Sequence, residues 1–345
     1  MTAFESTATS DQVVATFAPQ VKGRTFVITG AGHPSIGSSI ATALAKASPA
    51  HILIASRTAT NVNPVLVAIR DIDPSIKTTF IQVDLSYHAS VRRASNEILA
   101  ATGSKIDVLI NSAGNMALKE YTVDKQGIEL QFSVNHLGHF LLTNLLVPAL
   151  LSTATTGATT TTTSTRVVNL TSAGYQISPV RYTDPSFSAG STYDPWSGYG
   201  QAKTAQILFA YGLTQRLGGR GVVAVACHPG SNLDTKLGAH LVMEDYADVG
   251  PVTLRNTGRE FAFAVGDEPR FKTFEQIGAT PLIAALDPEV GAGVEGAGVM
   301  GVPVCYLQNG RVMQPVVEHA YGEAHVEKCW DLSEELVGQR FEYGG

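Results

Sequence analysis

The 345-residue sequence predicts a single α/β domain built on a doubly wound, seven-stranded parallel sheet. Three observations lead there. Short apolar runs rich in Val and Ile recur along the chain. Helical patterns separate most of them, as in repeated βαβ units whose strands are buried on both faces. The first run is followed at once by a glycine-rich turn and then an Ala-rich helix, the order of a nucleotide-binding crossover.

The strands are expected at Thr25–Ile28, His51–Ala55, Thr79–Val83, Ile106–Ile110, Arg166–Leu170, Val222–Cys227 and Val302–Leu307. Helices are expected over Ser38–Ala47, Val91–Ala101 and Leu137–Leu151. Right-handed crossovers between parallel strands then wind the helices onto both faces. No composition break splits the chain, so residues 1–345 read as one domain with a short N-terminal extension over 1–22. The stretch 152–165 is almost all Thr, Ser and Ala and reads as a surface loop.

Composition narrows the function classes. With 44% hydrophobic and 16% charged residues the chain is globular. A net charge of −6 gives a nucleic-acid partner no electrostatic support. No uninterrupted apolar run reaches the roughly 18 residues of a spanning helix; the nearest, His139–Leu151, contains Thr143, Asn144 and Pro148. The segment Met1–Ser10 is polar and lacks the order of a signal peptide, so a cytoplasmic location is expected. Cys227, Cys305 and Cys329 have neither disulfide nor zinc spacing and read as buried thiols. His136 and His139 have no carboxylate at metal spacing and read as packing residues, so no metal is expected.

The turn after the first strand runs from Thr29 through Gly30, Gly32, Ser35 and Ile36 to Gly37. Glycines allow a tight turn and close approach of a pyrophosphate to backbone N–H groups, with a helix N-terminus behind them. This is the start of a Rossmann-type dinucleotide site. The second strand ends at Arg57 with no carboxylate before Asp71. An NAD site would place a carboxylate there for the ribose 2′-hydroxyl, whereas a guanidinium suits the 2′-phosphate of NADP. A solvated arginine is the plain alternative. Asp84, closing the third strand, is a candidate for the adenine amino group or for a local cap.

Tyr199 and Lys203 stand four apart, on one face of a helix. A neighbouring ammonium is expected to lower the phenol's pKa towards the range where it can shuttle protons. The spacing recurs at Tyr121 and Lys125, so position decides. Tyr199 lies downstream of a strand ending in Asn169-Leu170-Thr171-Ser172, and strand C-termini face the ligand crevice. The Ser172 hydroxyl is therefore expected beside the Tyr199 phenol, while Tyr121 reads as a surface residue.

These motifs together resemble the short-chain dehydrogenase/reductase family, particularly its retinol-dehydrogenase-like branch. The matching pieces are Thr29-Gly30 with its turn, Asp84-Leu85, Asn111-Ser112-Ala113-Gly114, Asn135 to Phe140, Val168 to Ser172, Tyr199 to Lys203, His228-Pro229-Gly230, and Trp330 to Gly338. The resemblance implies a catalytic tetrad. Ser172 would polarise the carbonyl oxygen, Tyr199 would exchange its proton, Lys203 would tune Tyr199 and hold the nicotinamide ribose, and Asn135 would hold a water linking Lys203 to solvent. Tyr199 and Lys203 thus count among the cofactor contacts as well. Asn111, Ala113 and Gly114 would line the middle of the cofactor, with Leu85 beside Asp84 and with Pro229 and Gly230 beside the nicotinamide. The implied activity is NADP(H)-dependent hydride transfer to or from a small hydrophobic carbonyl or alcohol, with residues 231–280 shaping the substrate site. Leu237, Leu241, Met243, Tyr246, Phe261 and Phe263 are the candidates there. A homo-oligomer is also expected, as the family is often dimeric or tetrameric. Two departures stand out: the glycine turn is one residue longer than the family's, and Thr235 lies one position late after Gly230. The lengthened turn leaves a non-redox role, as a cyclase, isomerase or NADP-binding scaffold, as the alternative.

Overall fold

The computed structural model describes residues 4–156, 165–262, 269–290, 298–299, 302–303 and 306–343. Cys305, Phe263 and most of the Thr-rich stretch lie outside them. Six parallel strands come first: β1 (Thr25–Thr29), β2 (His51–Ser56), β3 (Lys77–Gln82), β4 (Val108–Asn111), β5 (Thr165–Leu170) and β6 (Val222–His228). β7 (Tyr306–Gln308) adds in parallel to β6, and β8 (Arg311–Val312) pairs antiparallel with β7. The sheet order is β8-β7-β6-β5-β4-β1-β2-β3. It therefore has eight strands, not seven. The extra one is a two-residue edge strand folded back by a turn at Asn309-Gly310, both in the left-handed region. The run expected over Val302–Leu307 is also divided: Val302–Pro303 pairs with Gly298–Val299, apart from the main sheet.

Alternation along the strands explains the three layers. Phe26, Ile28, Ile52 and Ile54 face one core, shared with α1 (Ser10–Thr16), α2 (Ile36–Ala45), α3 (Ala59–Ile72) and a later helix, α8 (Ala279–Leu286). Val27, Leu53 and Ala55 face the other, shared with α4 (His88–Thr102), α5 (130–156), α6 (Pro195–Leu217) and α9 (Glu323–Val337). α7 (Val249–Thr257) lies in the segment after β6. With both faces covered, period-two alternation does not separate polar from apolar positions, and the strands read as continuous apolar runs. The N-terminal extension is part of this core: Val13, Val14 and Phe17 are buried, and Ser10 N donates to Glu275 O at 2.7 Å.

α5 begins as Leu130–Phe132, passes through a π turn at Ser133–Leu137 and continues as Gly138–Thr156. By length and composition alone its span Leu130–Ala154 could cross a membrane, but 67% of its most apolar window is buried. Phe140, Leu141, Leu146 and Leu150 pack in the core, so its apolarity is accounted for by the fold. Gly138 lets it approach the β3–α4 connection: a Cβ there would lie 2.4 Å from Leu85 O.

Sheet order reverses between β1 and β4, since β1 leads outward to β2 while β4 leads to β5. At such a switch point the loops after the strands diverge and leave a crevice at their C-terminal ends.

Candidate active site

A cavity of about 520 Å³ opens at this switch point, within the range of small-molecule sites. It is lined by Gly30, Gly32, Ser35 and Ile36 from the first turn, and by Ser56 and Arg57 after β2. Asp84, Leu85, Ala113 and Gly114 line it from β3 and β4. Thr235, Leu237 and His240 close the far side.

The lengthened glycine turn is folded tightly. Gly30 has φ +69°, and its Cα sits so close to β4 that a Cβ would fall 2.5 Å from Ala113 Cα. Gly37 packs back on the turn, a Cβ there falling 3.0 Å from Gly30 O. His33 N bonds Asn61 O at 2.9 Å, pinning the extra residue to α3. Ser35 is the N-cap of α2: its Oγ accepts from Ser38 N and donates to Gly30 O, and its own N–H donates to Ser38 Oγ. Its polar groups are thus engaged by the cap. Ile36 and Gly37 are the first two helical residues, where backbone N–H groups lack intrahelical acceptors. These features fit a dinucleotide pyrophosphate, with Arg57 exposed at the adenosine end. Asp84 Oδ1 accepts from Ser86 N and Ser86 Oγ, so it caps locally while also lining the cavity.

Six expected cofactor contacts do not line the cavity: Gly37, Asn111, Tyr199, Lys203, Pro229 and Gly230. Asn111 is buried beneath the cavity, its Nδ2 joining Thr143 and Asn169 at 3.0 and 2.8 Å. It braces β4 against α5 and β5. Pro229 is buried, and Gly230 packs on the stem of Lys272, where a Cβ would fall 2.6 Å from Lys272 Cδ. Neither lines the cavity.

Ser172, Tyr199 and Lys203 come together behind the cavity wall at Gly114, none of them lining the cavity itself. Ser172 caps the turn Ala173–Gln176, accepting from Gly174 N at 3.1 Å. The same hydroxyl acts on the Tyr199 phenol, whose ring packs on this turn: a Cβ on Gly174 would fall 2.6 Å from Tyr199 Cε1 and 3.5 Å from Ser172 Oγ. Tyr199 is 4% exposed, and Lys203 Nζ lies 5.4 Å from its ring centroid. A Cβ on Gly114, at the cavity wall, would stand 2.9 Å from Asn135 Oδ1 and 3.9 Å from Lys203 Nζ. Asn135, Lys203 and the cavity therefore share a wall. Asn135 is fixed by the backbone of Asn115, accepting from its N–H at 2.8 Å and donating to its carbonyl at 3.0 Å. By contrast, Tyr121 stacks on Tyr193 and Lys125 sits over the Tyr87 ring, so that pair does not converge.

Electrostatics differ from the sequence expectation. Burial raises the Tyr199 phenol to about 12 despite the Ser172 hydroxyl. Burial also lowers Lys203 to about 7. Desolvation thus dominates at both groups, and the phenol is raised rather than made acidic.

Residues 24–177 match the family model described as short chain dehydrogenase. The chain is 32% identical over 249 residues to the oxidoreductase fscI of Fusarium equiseti, covering 66% of this chain and 94% of that protein. The chain belongs to the short-chain dehydrogenase/reductase family. The chain is also similar to retinol dehydrogenase 13 of Mus musculus, at 32% identity over 235 residues covering 67% and 64% of the two chains. A crystal structure of an uncharacterised protein from Mycobacterium Paratuberculosis is similar throughout, at 27% identity and a TM-score of 0.62 over 93% of this chain and 96% of that one.

Within this short-chain dehydrogenase/reductase scaffold, a buried polar network ties the cofactor turn to Lys203. Thr29 Oγ1 accepts from Ser112 N and Ala113 N at 2.9 and 3.1 Å and bonds His139 Nε2 at 2.8 Å. His139 Nδ1 faces Asn135 O at 3.0 Å. A carbonyl only accepts, so Nδ1 carries the proton, and Nε2 accepts from Thr29. Sequence reasoning took His139 as plain packing. The signal for more was Thr29 at the strand's C-terminal end, facing a helix that carries Asn135 and His139 four apart.

Burial lowers His139 to about 4 and His136 to about 3. Both stay neutral when folded, whereas unfolded histidine takes up a proton near pH 6.5. The unfolded chain then binds more protons, so stability falls as pH drops from about 6.5 towards 4. For His139 the loss is about 3 kcal/mol over that window. Denaturant melts between pH 6.5 and 5 should show this slope, and His139→Gln should remove close to one proton from it. An unchanged slope in the variant would contradict the neutral assignment.

Proposed function

We propose that this chain is an NADP(H)-dependent oxidoreductase acting on a hydrophobic carbonyl or secondary alcohol. The observation that carries the reading is the Ser172–Tyr199 hydroxyl pair beside Lys203, behind the Gly114 wall of a cavity that reaches Arg57. Bound there, the nicotinamide supplies or accepts the hydride. Ser172 and Tyr199 hold one substrate oxygen between two hydroxyls. With its pKa raised to about 12, Tyr199 is protonated at neutral pH and ready to give its proton to a carbonyl oxygen as it gains charge. Lys203 lies at the wall where a ribose would pass.

The substrate side is apolar. Tyr199 belongs to a cluster with Ala117, Ile177, Trp196, Val249 and Val252, against which Met116, Leu241, Tyr246 and Phe261 pack. Trp196 and Tyr246 stack at 5.3 Å, and Trp196 Nε1 holds Asp245 O at 2.8 Å. This half of the 231–280 segment faces the reaction centre, whereas Met243 is 69% exposed and takes no part. Such a wall suits an apolar, flat substrate better than a sugar or an acid.

The test begins with parallel binding titrations of NADP and NAD, followed by a panel of ketones and alcohols. NADP should bind more tightly. Arg57→Leu should weaken NADP about tenfold, the lower end for a lost charge-assisted bond, and leave NAD within about twofold. Equal weakening of both coenzymes would remove Arg57 as the reader of the 2′-phosphate. A wild-type protein that turns over nothing in the panel would remove the redox reading.

A further inference from the structure

Among the described residues, buried Lys203 has no carboxylate partner. Its Nζ donates to Leu170 O at 3.0 Å and to Gln206 Oε1 at 2.9 Å. The other end of that amide, Gln206 Nε2, donates to Asn135 O at 2.9 Å. Gln206 is 1% exposed, one turn along α6 from Lys203. Asn135 O also receives His139 Nδ1. A carbonyl oxygen has two lone pairs, and these two side-chain donors already reach it. A side-chain amide therefore spans the distance from ammonium to carbonyl.

We propose that Gln206 is the positioning residue of this site, tying Lys203 to the Asn135 carbonyl through a protein side chain. Its two ends match its neighbours: oxygen towards the ammonium, nitrogen towards the carbonyl. Through Asn135 O the tie continues to His139 and Thr29, and so to the Ser112-Ala113 backbone at the cavity wall. Lys203 is thus held in register with the cofactor turn through protein groups. The inference rests on the reading of Tyr199 and Lys203 as the reaction centre.

The consequence is electrostatic. Gln206 Oε1 accepts from the charged form of Lys203, which stabilises the ammonium against a burial that already brings it to about 7. The other ionisable groups facing Lys203 are Tyr199 on its own helix, Cys227 on β6 and His139 on α5. Burial keeps the Cys227 thiol and His139 neutral, so neither replaces the missing acceptor.

The experiment follows Lys203 by the NMR shift of its ε-carbon in the full chain labelled with carbon-13 lysine, assigned by its loss in Lys203→Arg. Three variants separate a polar tie from simple packing. Gln206→Met keeps the volume and loses both bonds; the Lys203 midpoint should fall by about one pH unit. Gln206→Ala opens a polar space in which water can bridge the same two groups; its midpoint should stay within roughly half a unit of wild type, although it melts lower than Gln206→Met. Gln206→Glu keeps an oxygen towards the ammonium and adds charge; its midpoint should rise. Coincident midpoints in all of these, or a larger fall in Gln206→Ala than in Gln206→Met, would overturn the proposal. The activity arm measures the pH profile of kcat for alcohol oxidation. Gln206→Met should move its rising limb upward, because Tyr199 loses a cation. If the NMR midpoints move as stated while wild type oxidises no alcohol, the positioning role stands and the redox reading fails.

Discussion

Tyr199→Phe should lower kcat for carbonyl reduction by about a thousandfold, within the range for loss of a positioned general acid, with little change in coenzyme affinity. The phenol is the proton donor that shares the Ser172 hydroxyl's neighbourhood and the apolar cluster of Trp196, Val249 and Val252. Its ring is held independently of that hydroxyl, against Trp196 at 6.2 Å and over the Gly174 backbone, where a Cβ would fall 2.6 Å from Tyr199 Cε1. Phe therefore fits the same space, and the stability cost should be about 1 kcal/mol for one lost hydrogen bond. Ser172→Ala is the less discriminating variant, since Ser172 Oγ also caps the turn Ala173–Gln176. Wild-type reduction should persist across neutral pH, while alcohol oxidation should climb with pH because the phenol must first give up its proton. Stopped-flow measurement of NADPH oxidation, with coenzyme titration and thermal melts on the same samples, checks each part. A variant retaining a tenth or more of wild-type kcat would sink Tyr199 as the proton donor and revive a non-redox use of the site.

Much of this was legible from the chain. Strands buried on both faces appear as unbroken apolar runs, so β1, β2, β5 and β6 stood out with bounds off by at most one residue. β7 was expected four residues early, over Val302–Leu307, and β8 not at all, because strands of three and two residues at a sheet edge carry too little pattern. The Ser172–Tyr199–Lys203 convergence followed from strand ends and helix spacing. What spacing could not supply was the environment. The expected acidic phenol is instead a raised one, because the same burial that brings Lys203 close also strips water from both groups. Asn111 matched a motif expected to touch cofactor, yet its amide is spent on Thr143 and Asn169. Gln206 carried only a weak sign, a polar residue three positions after Lys203 on the same face. Its role depends on Asn135, which reaches it from another helix.

Gly30→Ala should destabilise the protein by about 3 kcal/mol, combining left-handed backbone strain with overpacking, and should weaken coenzyme binding more than tenfold. The backbone at Gly30 has φ +69°, and the added methyl would meet Ala113 Cα at 2.5 Å and Ala113 N at 2.8 Å. Neither side can give way cheaply. Gly30 N is bonded to Ala55 O, β1 is paired with both β2 and β4, and Ala113 N is bonded to Thr29 Oγ1. Relief would have to part the two strands that frame the cavity, which is why binding should suffer with stability. Gly103→Ala supplies the control: it also has positive φ, +61°, but nothing lies within 4 Å of the added carbon. It should cost only about 1 kcal/mol and leave the coenzyme unaffected. Adding Ala113→Gly to Gly30→Ala should recover little, since the two closest backbone atoms remain. Denaturant unfolding and NADP titration of the four proteins decide the matter. Equal stability losses at Gly30 and Gly103, or full rescue by Ala113→Gly, would mean that the β1 turn is not packed against the β4 backbone as the cavity requires.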